Sequence, residues 1–405
     1  MKIIVQKFGG TSLNSDEIRT KAINKVLGAL KRGYNPVVVV SAMGRRDDAY
    51  STDALLNLIS NKKIKNRQIE DLLMCSGEII SSAVFSLDLI NNNIKSLPLT
   101  AFQAGIVTDD NFKDAVIKNI DCTNILNLIE QGYVPVITGF QGITEEGYYT
   151  TLGRGGSDTT AIALGVSLKA KYVEIFTDVN GVMPADPKLV KDAHKIEQID
   201  YDELFQLADQ GAKVINARAI EIAKKNSLLV YIRNTFSSDE GTLISSNITS
   251  ELKPVTSITS IGNRIQVVIS MNNKNFEYDK LLLEIASRGV SLDLINISID
   301  RIMFTIDSDL GDRLLNILSK YDIDYEICKE CSKISVIGIG MKGVPGIMAR
   351  IITSLNKENI DILQTADSYM TIWCLVKTHN LERALNLLHK EFSLWFYEYK
   401  KLFYT

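Results

Sequence analysis

Thr151-Leu152-Gly153-Arg154-Gly155-Gly156-Ser157-Asp158-Thr159-Thr160-Ala161 decides how this chain is read. Three glycines bracket one arginine, and Ser157 and Asp158 open a run over 159–168 that reads as a helix. Glycines let a backbone approach a ligand closely, and the free N–H groups that start a helix form an anion site. An arginine in such a turn can clamp a carboxylate or a phosphate through two parallel hydrogen bonds. The competing reading is an ordinary glycine-rich loop with a Ser/Asp N-cap. No Gly-Lys-Ser/Thr follows at the spacing of a Walker A loop, so that class of phosphate loop is excluded.

Outward from this loop, strands alternate with helices. Ile3-Ile4-Val5 begins an apolar strand that ends in Lys7-Phe8-Gly9-Gly10-Thr11-Ser12. A helix is expected over 16–31, with Ile18, Ala22, Val26 and Leu30 on one face. Val37 to Val40 is a continuous apolar run of the kind buried on both faces. Helices are expected over 53–60, 67–91 and 114–131, and strands over 134–138 and 172–177. The pattern over about 240 residues predicts an α/β domain with a mostly parallel sheet sandwiched by helices, its ligand at the strand C-termini.

From Ser245 to Lys253 the composition turns to Ser, Asn and Thr, a linker signal. Two similar units follow at an offset of roughly 70 residues, each reading βαββα with a further strand available. The first is expected as 264–270, 278–288, 292–299, 302–306 and 310–320. The second is expected as 333–338, 347–356, 360–365, 370–376 and 381–391. The predicted division is therefore 1–245 (catalytic), 246–256 (linker), 257–330 and 331–405 (two α+β units that could exchange strands). Gly338-Ile339-Gly340-Met341-Lys342-Gly343 mimics a dinucleotide fingerprint, but too little chain remains for that fold. It reads as a backbone turn before a helix opened near Pro345.

Composition narrows the function. Lys and Arg number 45 against 48 Asp and Glu, a net charge of −3 that favours neither nucleic acid nor an anionic membrane as partner. No run of about 20 apolar residues stands out as a membrane span. Five scattered cysteines form no disulfide framework, and Cys328-x-x-Cys331, lacking a second pair or a nearby His, reads as incidental. The expected compartment is the reducing cytoplasm.

Phosphoryl transfer fits the residues. Lys7 ends a first strand at a Gly-Gly turn, so its ammonium can reach phosphates held over Gly9 and Gly10. Asp158 is placed to hold Lys7 or a magnesium-linked water, or to cap its helix. His194, His379 and His389 lie outside every motif, so no general base is evident. A carboxylate acceptor would need none, since it is already an ionised nucleophile.

Lys7-Phe8-Gly9-Gly10-Thr11-Ser12 resembles the opening motif of aspartokinases, within the amino-acid kinase superfamily. Val39-Val40-Ser41-Ala42-Met43-Gly44, Cys75-Ser76-Gly77-Glu78, the 151–158 loop, Phe176-Thr177-Asp178-Val179-Asn180-Gly181-Val182 and Gln210-Gly211-Ala212-Lys213-Val214 also resemble that family, in family order. The paired C-terminal units resemble ACT amino-acid-sensing domains of ferredoxin-like βαββαβ form. Length and opening are most similar to the short Gram-positive aspartokinases.

The resemblance implies roles. Lys7 would stabilise the transferring phosphoryl group, with Phe8, Gly9 and Gly10 at the phosphates. Arg154 would clamp the α-carboxylate of L-aspartate, and Glu78 would take its α-ammonium. Ser41 and Thr52 would help hold the substrate, and Gly155, Gly156, Ser157 and Asp158 would complete the reacting centre. Thr177 and Asp178 would contact adenosine, Met183, Asp186 and Lys188 would close that side, and Lys213 would reach the phosphates. Met183-Pro184 and Asn216-Ala217 depart from the frequent Tyr-Thr and His-Pro of relatives. No residue is expected to form a dedicated metal site.

The resulting expectation is a cytoplasmic aspartate kinase that uses ATP with Mg2+ to make 4-phospho-L-aspartate. An end-product amino acid would bind the paired units near Met341, Val344, Gly346, Gln364 and Asp367, in a homodimer or higher homo-oligomer. Lysine, threonine and meso-diaminopimelate all remain open as effectors. The rival readings are a non-catalytic amino-acid sensor and a sibling kinase acting on glutamate, acetylglutamate or UMP.

Overall fold

The continuous apolar runs form the middle of an eight-stranded sheet in a computed structural model describing residues 1–45, 48–212, 214–246, 254–272, 276–341 and 343–394. In sheet order the strands are Gln198–Ile199, Thr242–Ile244, Val230–Asn234, Val173–Thr177, Ile3–Phe8, Asn35–Val40, Val134–Thr138 and Ser96–Leu99. Every pairing is parallel except Val230–Asn234 with Thr242–Ile244. Val37, Val38, Val39 and Val40 are fully buried, as a strand covered on both faces requires. Phe8, Phe85, Phe176 and Val136 pack beside the central strands, and the Phe8 and Phe176 rings stack at 4.9 Å.

Helices flank this sheet. Asp16–Lys31 starts at Ser15, whose hydroxyl accepts from the Ile18 amide. The helix expected over 53–60 is shorter, Thr52–Asn57, and Ser51 caps it. Arg67–Asn91 is long and apolar enough to cross a membrane by length and composition, but half of that apolar window is buried inside the protein. Glu70, Asp71 and Glu78 lie on its buried side, which marks it as a core helix here.

The helix expected over 114–131 is instead a strand, Ile117–Ile120, followed by a helix, Thr123–Glu130. The Asp121 carboxylate accepts from the Thr123 amide at 3.0 Å and its hydroxyl at 2.6 Å, a local turn that competes with helix. Ile117–Ile120 then joins a small sheet with Ile106–Thr108, Gln141–Ile143 and Tyr149–Thr151, which delivers the chain to the glycine loop.

The described residues fall into two compact units. Met1–Val182, Lys195–Phe205 and Lys213–Ile248 make the first; Met183–His194, Gln206–Ala212 and Thr249–Thr405 make the second. Two short segments from the first 245 residues therefore belong with the C-terminal region. Ala185 and Val190 enter its core beside Val255, Ile334 and Leu355, and the Gln210 carboxamide accepts from the Trp373 indole N–H at 2.7 Å.

The second unit carries one six-stranded sheet in the order Asp293–Ile297, Arg301–Asp307, Ser257–Ser270, Tyr325–Ile337, Thr371–Lys377 and Gln364–Asp367. The expected strand over 360–365 lies later, because Asn359 turns left-handed after the helix and Ile360 drops into the core. The two central strands run through both βαββ modules. Residues 264–270 pair with Arg301–Asp307 in the first module, whereas 257–261 pair with 333–337 in the second. The second module thus receives its fourth strand from before the first, so the units expected at 257–330 and 331–405 are interleaved through an exchanged strand.

If 257–261 belongs to the second module, Ile258→Ala should weaken that module by about 2–5 kcal/mol through a buried cavity. Ile258 is 1 % exposed. Both tryptophans, Trp373 and Trp395, lie in the C-terminal stretch, so urea unfolding followed by tryptophan fluorescence reads this region. An unchanged curve would remove the exchanged strand from the module.

Candidate active site

Four parallel strands end together, and their loops interlock through the backbone. The Ser41 amide donates to Phe8 O at 3.1 Å, Gly9 N to Phe176 O at 3.3 Å, Gly44 N to Gly10 O at 3.1 Å and Gly139 N to Val40 O at 2.9 Å. A side chain at Gly10 would stand 2.5 Å from Ala42 O and 2.6 Å from Gly44 O, so only glycine lets these loops meet. Phe8 is fully buried, so it serves this edge through its backbone while its ring serves the core.

Across this edge Lys7 Nζ meets Asp158 Oδ1 at 2.7 Å, with only 12 % and 11 % of the two side chains exposed. The other Asp158 oxygen accepts from the Asn216 amide at 3.3 Å. The helix bearing Asp158 runs Gly156–Ser167 and its cap is Gly155, with no side-chain cap hydrogen bond. Asp158 therefore does not cap its own helix; one of its oxygens takes the lysine and the other the Asn216 amide.

The glycine loop owes its shape to two left-handed residues, Gly153 (φ 76°) and Gly155 (φ 72°), on either side of Arg154. An added Cβ would lie 2.8 Å from Asp114 Oδ1 at Gly153 and 2.7 Å from Asn216 Cβ at Gly155. Asn216 Nδ2 donates to Arg154 O at 2.6 Å, and Asn216 also caps the helix Ala217–Lys225. Arg154 is thus exposed at the crest of a loop whose backbone is pinned. Ser157 is buried beneath it.

Glu78 completes the arrangement from below. Its Oε1 accepts from the Ala42 amide at 2.9 Å, in the same loop as Ser41. Its Oε2 is buried and has no hydrogen-bond partner among the described residues. Burial pushes the Glu78 carboxyl up to about 8. Gly77 beside it lets the helix approach that loop, since a Cβ there would lie 2.9 Å from Ala42 Cβ. A buried carboxylate with one open oxygen is a receptor for a cation. Ser41 and Thr52 are both half-buried near the two ends of this loop.

On the strand ending Val173–Thr177, Thr177 donates its hydroxyl to Asp178 Oδ1 at 3.1 Å, and Asp178 Oδ2 pairs with Arg45 at 3.0 Å. Met183, Asp186 and Lys188 belong to the second compact unit. There Met183 is half-buried, Asp186 and Lys188 are exposed, and Asp186 Oδ1 accepts from the Lys188 amide at 2.9 Å. Lys213 lies outside the described residues.

Three supporting residues escaped the sequence reading. Asp71 is fully buried and accepts from Thr151 N at 2.8 Å, Thr151 Oγ1 at 2.9 Å and Lys113 N at 2.9 Å, fixing the start of the glycine loop. Asn216 stood out only as a departure from the frequent His-Pro, yet it ties Arg154 to Asp158. Arg45 gave no signal, because its partner is 133 residues away.

In the second unit, Met341 is buried, Val344 and Asp367 are exposed, and Gly346 (φ 88°) caps the helix Ile347–Asn356. Gln364 is buried between the modules: its Nε2 donates to Asn296 Oδ1 at 2.8 Å and its Oε1 accepts from Gln266 Nε2 at 3.1 Å. Within the glycine repeat, Ile339–Met341 form a single 3-10 turn, as the sequence implied, and Lys342 lies outside the described residues.

The amino acid kinase family matches residues 2–234, and an ACT domain matches residues 326–390. Aspartokinase 1 of Bacillus subtilis is 40% identical over 406 residues, covering 97% of this chain and 100% of its own length. Aspartokinase of Helicobacter pylori J99 is 37% identical, covering 97% and 99%. The solved aspartate kinase from Synechocystis is 31% identical with a TM-score of 0.53, covering 96% of this chain and 69% of that one. E. coli aspartokinase III, solved with aspartate and ADP, has a TM-score of 0.77 at 23% identity over 96% and 99% of the chains, a likeness of fold.

The Glu78 carboxyl has a stability consequence. It titrates near 4.5 in an unfolded chain and about 8 here, so between those values the folded protein holds the extra proton. Its contribution is fully present below pH 4.5 and is lost as pH rises through about 8. Glu78→Gln should therefore gain stability relative to the ligand-free parent as pH rises from 5 to 9. Paired urea unfolding series would check this; a gap that stays constant with pH would show that Glu78 is not held neutral.

Proposed function

This chain belongs to the aspartokinase family, and from that premise we infer how its own residues carry the family's reaction. The reaction moves the γ-phosphoryl group of ATP to the β-carboxylate of L-aspartate, giving 4-phospho-L-aspartate and ADP. It is the first step toward lysine, threonine, methionine and diaminopimelate.

One observation supports the substrate end most directly: Glu78 holds the Ala42 amide with one oxygen and keeps the other buried with no hydrogen-bond partner among the described residues. The α-ammonium of aspartate is the cation that would satisfy it. On arrival the ammonium favours the ionised carboxylate, so binding below pH 8 would release the Glu78 proton. Arg154, held at the crest of its loop, would take the α-carboxylate in a two-pronged contact. With both α-groups anchored, only a side chain of aspartate's length brings its carboxylate to the phosphate.

At the other end an oxygen of the β-carboxylate bonds to the γ-phosphorus as the bond from phosphorus to the β,γ-bridging oxygen breaks, and ADP leaves with that electron pair. The nucleophile is ionised already, so no side chain has to remove a proton. Charge on the transferring oxygens would be met by the Lys7 ammonium and the amides of Gly9 and Gly10. Asp158 keeps Lys7 aimed until the phosphates arrive. Thr177 and Asp178 would face the nucleoside.

Magnesium would enter with ATP and neutralise phosphate charge. No group of three or more His, Cys, Asp or Glu residues able to hold a metal stands among the described residues. We take the ion to be carried chiefly by phosphates and water, with Asp158 as the nearby carboxylate. We propose a cytoplasmic enzyme, a homodimer or higher homo-oligomer, with an end-product amino acid acting on the paired ACT modules. Lysine, threonine and meso-diaminopimelate are the candidates.

Arg154→Ala should raise the aspartate KM by about 10- to 100-fold, the worth of a charged two-pronged contact, with little change in the ATP KM. Lys7→Ala should lower kcat by about 100- to 1,000-fold. Steady-state ADP release with aspartate or glutamate as acceptor, with each effector added in turn, gives all of these. Equal rises in both KM values for Arg154→Ala would remove the clamp.

A further inference from the structure

Cys328 and Cys331 occupy the long strand Tyr325–Ile337 that both modules share. In a regular strand, residues three apart point to opposite faces. Here they do not, because the strand carries a bulge. Arg264 faces Cys331 and Gln266 faces Cys328, so a step of two residues on one strand opposes a step of three on the other. Glu330, between the cysteines, sits at φ 57°, in the left-handed region that a non-glycine residue seldom adopts. The extra residue swings the two sulfurs to within 3.6 Å of each other, and the Cys331 thiol donates to Cys328 O at 3.3 Å.

The two sulfurs differ in setting. Cys328 is half-buried, whereas Cys331 is fully buried and burial pushes its thiol up to about 11. Lys377, register partner of Cys331, donates to Lys329 O at 2.9 Å. Its ammonium also lies against the Cys328 sulfur, the contact that does most to raise the Lys377 pKa. A cation beside the more accessible sulfur and a second sulfur in reach behind it are the parts of an exchange site.

We propose that Cys328 and Cys331 form a reversible dithiol–disulfide site that reacts with small disulfides of the glutathione type. The Cys328 thiolate attacks the small disulfide, making a mixed disulfide and expelling one thiolate. Cys331, its proton lost to water, attacks the Cys328 sulfur, closing the internal bond and expelling the second thiolate. Two protein thiols are oxidised by two electrons while one small disulfide is reduced to two thiols. The bond would staple the bulge where Cys331 packs with Leu294 of the first module and Leu375 of the second. Gln266, opposite Cys328, donates to Leu363 O and Gln364 Oε1, so the staple adjoins the hydrogen bonds joining the modules. The inference does not depend on the kinase assignment.

The test equilibrates the full chain with glutathione buffers from fully reducing to fully oxidising, followed by acid quench, alkylation and peptide mass mapping. The expected result is one internal link between Cys328 and Cys331 that appears and disappears with the buffer ratio, while Cys75, Cys122 and Cys374 stay alkylated. Cys331→Ser should stop at glutathione on Cys328, and Cys328→Ser should show no link. Both thiols alkylated at every ratio, glutathione on Cys328 with no internal link in the parent chain, or links only between chains would each overturn the proposal. If a variant folds poorly, the pattern in the parent chain is enough to decide between these outcomes.

Discussion

The ion pair between Lys7 and Asp158 is the contact on which the first unit turns. It joins the end of the central strand to a helix that is buried on nearly all sides, and neither partner is more than about an eighth exposed. Removing one partner of a pair so buried leaves an unpaired charge and typically costs about 3–5 kcal/mol. The same pair sets the electrostatics of the cleft, because a lysine held by one carboxylate is oriented without being neutralised permanently. The remaining loops adjust to this axis, with Asn216 linking Asp158 to the arginine loop.

A second constraint comes from the helix Arg67–Asn91. Three carboxylates on its buried side tie the helix to the surrounding chain, Glu70 and Asp71 sharing Lys113. Glu70 pairs with Lys113, Asp71 takes the Thr151 backbone and hydroxyl, and Glu78 takes the Ala42 amide. Burial raises the pKa of both Asp71 and Glu78. The two behave differently because Asp71 spends both oxygens on protein donors while Glu78 keeps one in reserve. One is structural, and the other has the character of a receptor. That distinction follows from hydrogen-bond accounting, since both are acids on one helix.

The parallel sheet was legible because its strands are unbroken apolar runs, and the site loops because glycines at strand ends announce them. Lys7, Glu78, Arg154 and Asp158 stood out by motif; the fold pairs Lys7 with Asp158, which follows the Arg154 loop, and ties Glu78 to the Ser41–Ala42 loop. What escaped detection is mostly pairing between distant residues. Arg45 and Asp178 have no local pattern to connect them, and Asp71 looks like any other acid of an amphipathic helix. The stretch over 114–131 misled because its apolar spacing fits a helix, and the Asp121 turn that divides it is a side-chain effect. Exchange of strands between the two modules was allowed for by the sequence, but not which strand is exchanged: a repeat found by offset assumes that each copy is continuous.

That discontinuity bears on how the protein is made. Residues 257–261 leave the ribosome well before 333–337, the segment they pair with. The first module can close as soon as 325–331 emerge, while the strand end at 257–261 still waits as an open edge. Until the rest of the chain arrives, the nascent protein carries a sticky ribbon. It is also why the second ACT module cannot be cut out as one contiguous piece of gene: its sheet is written in two places, with another module between them.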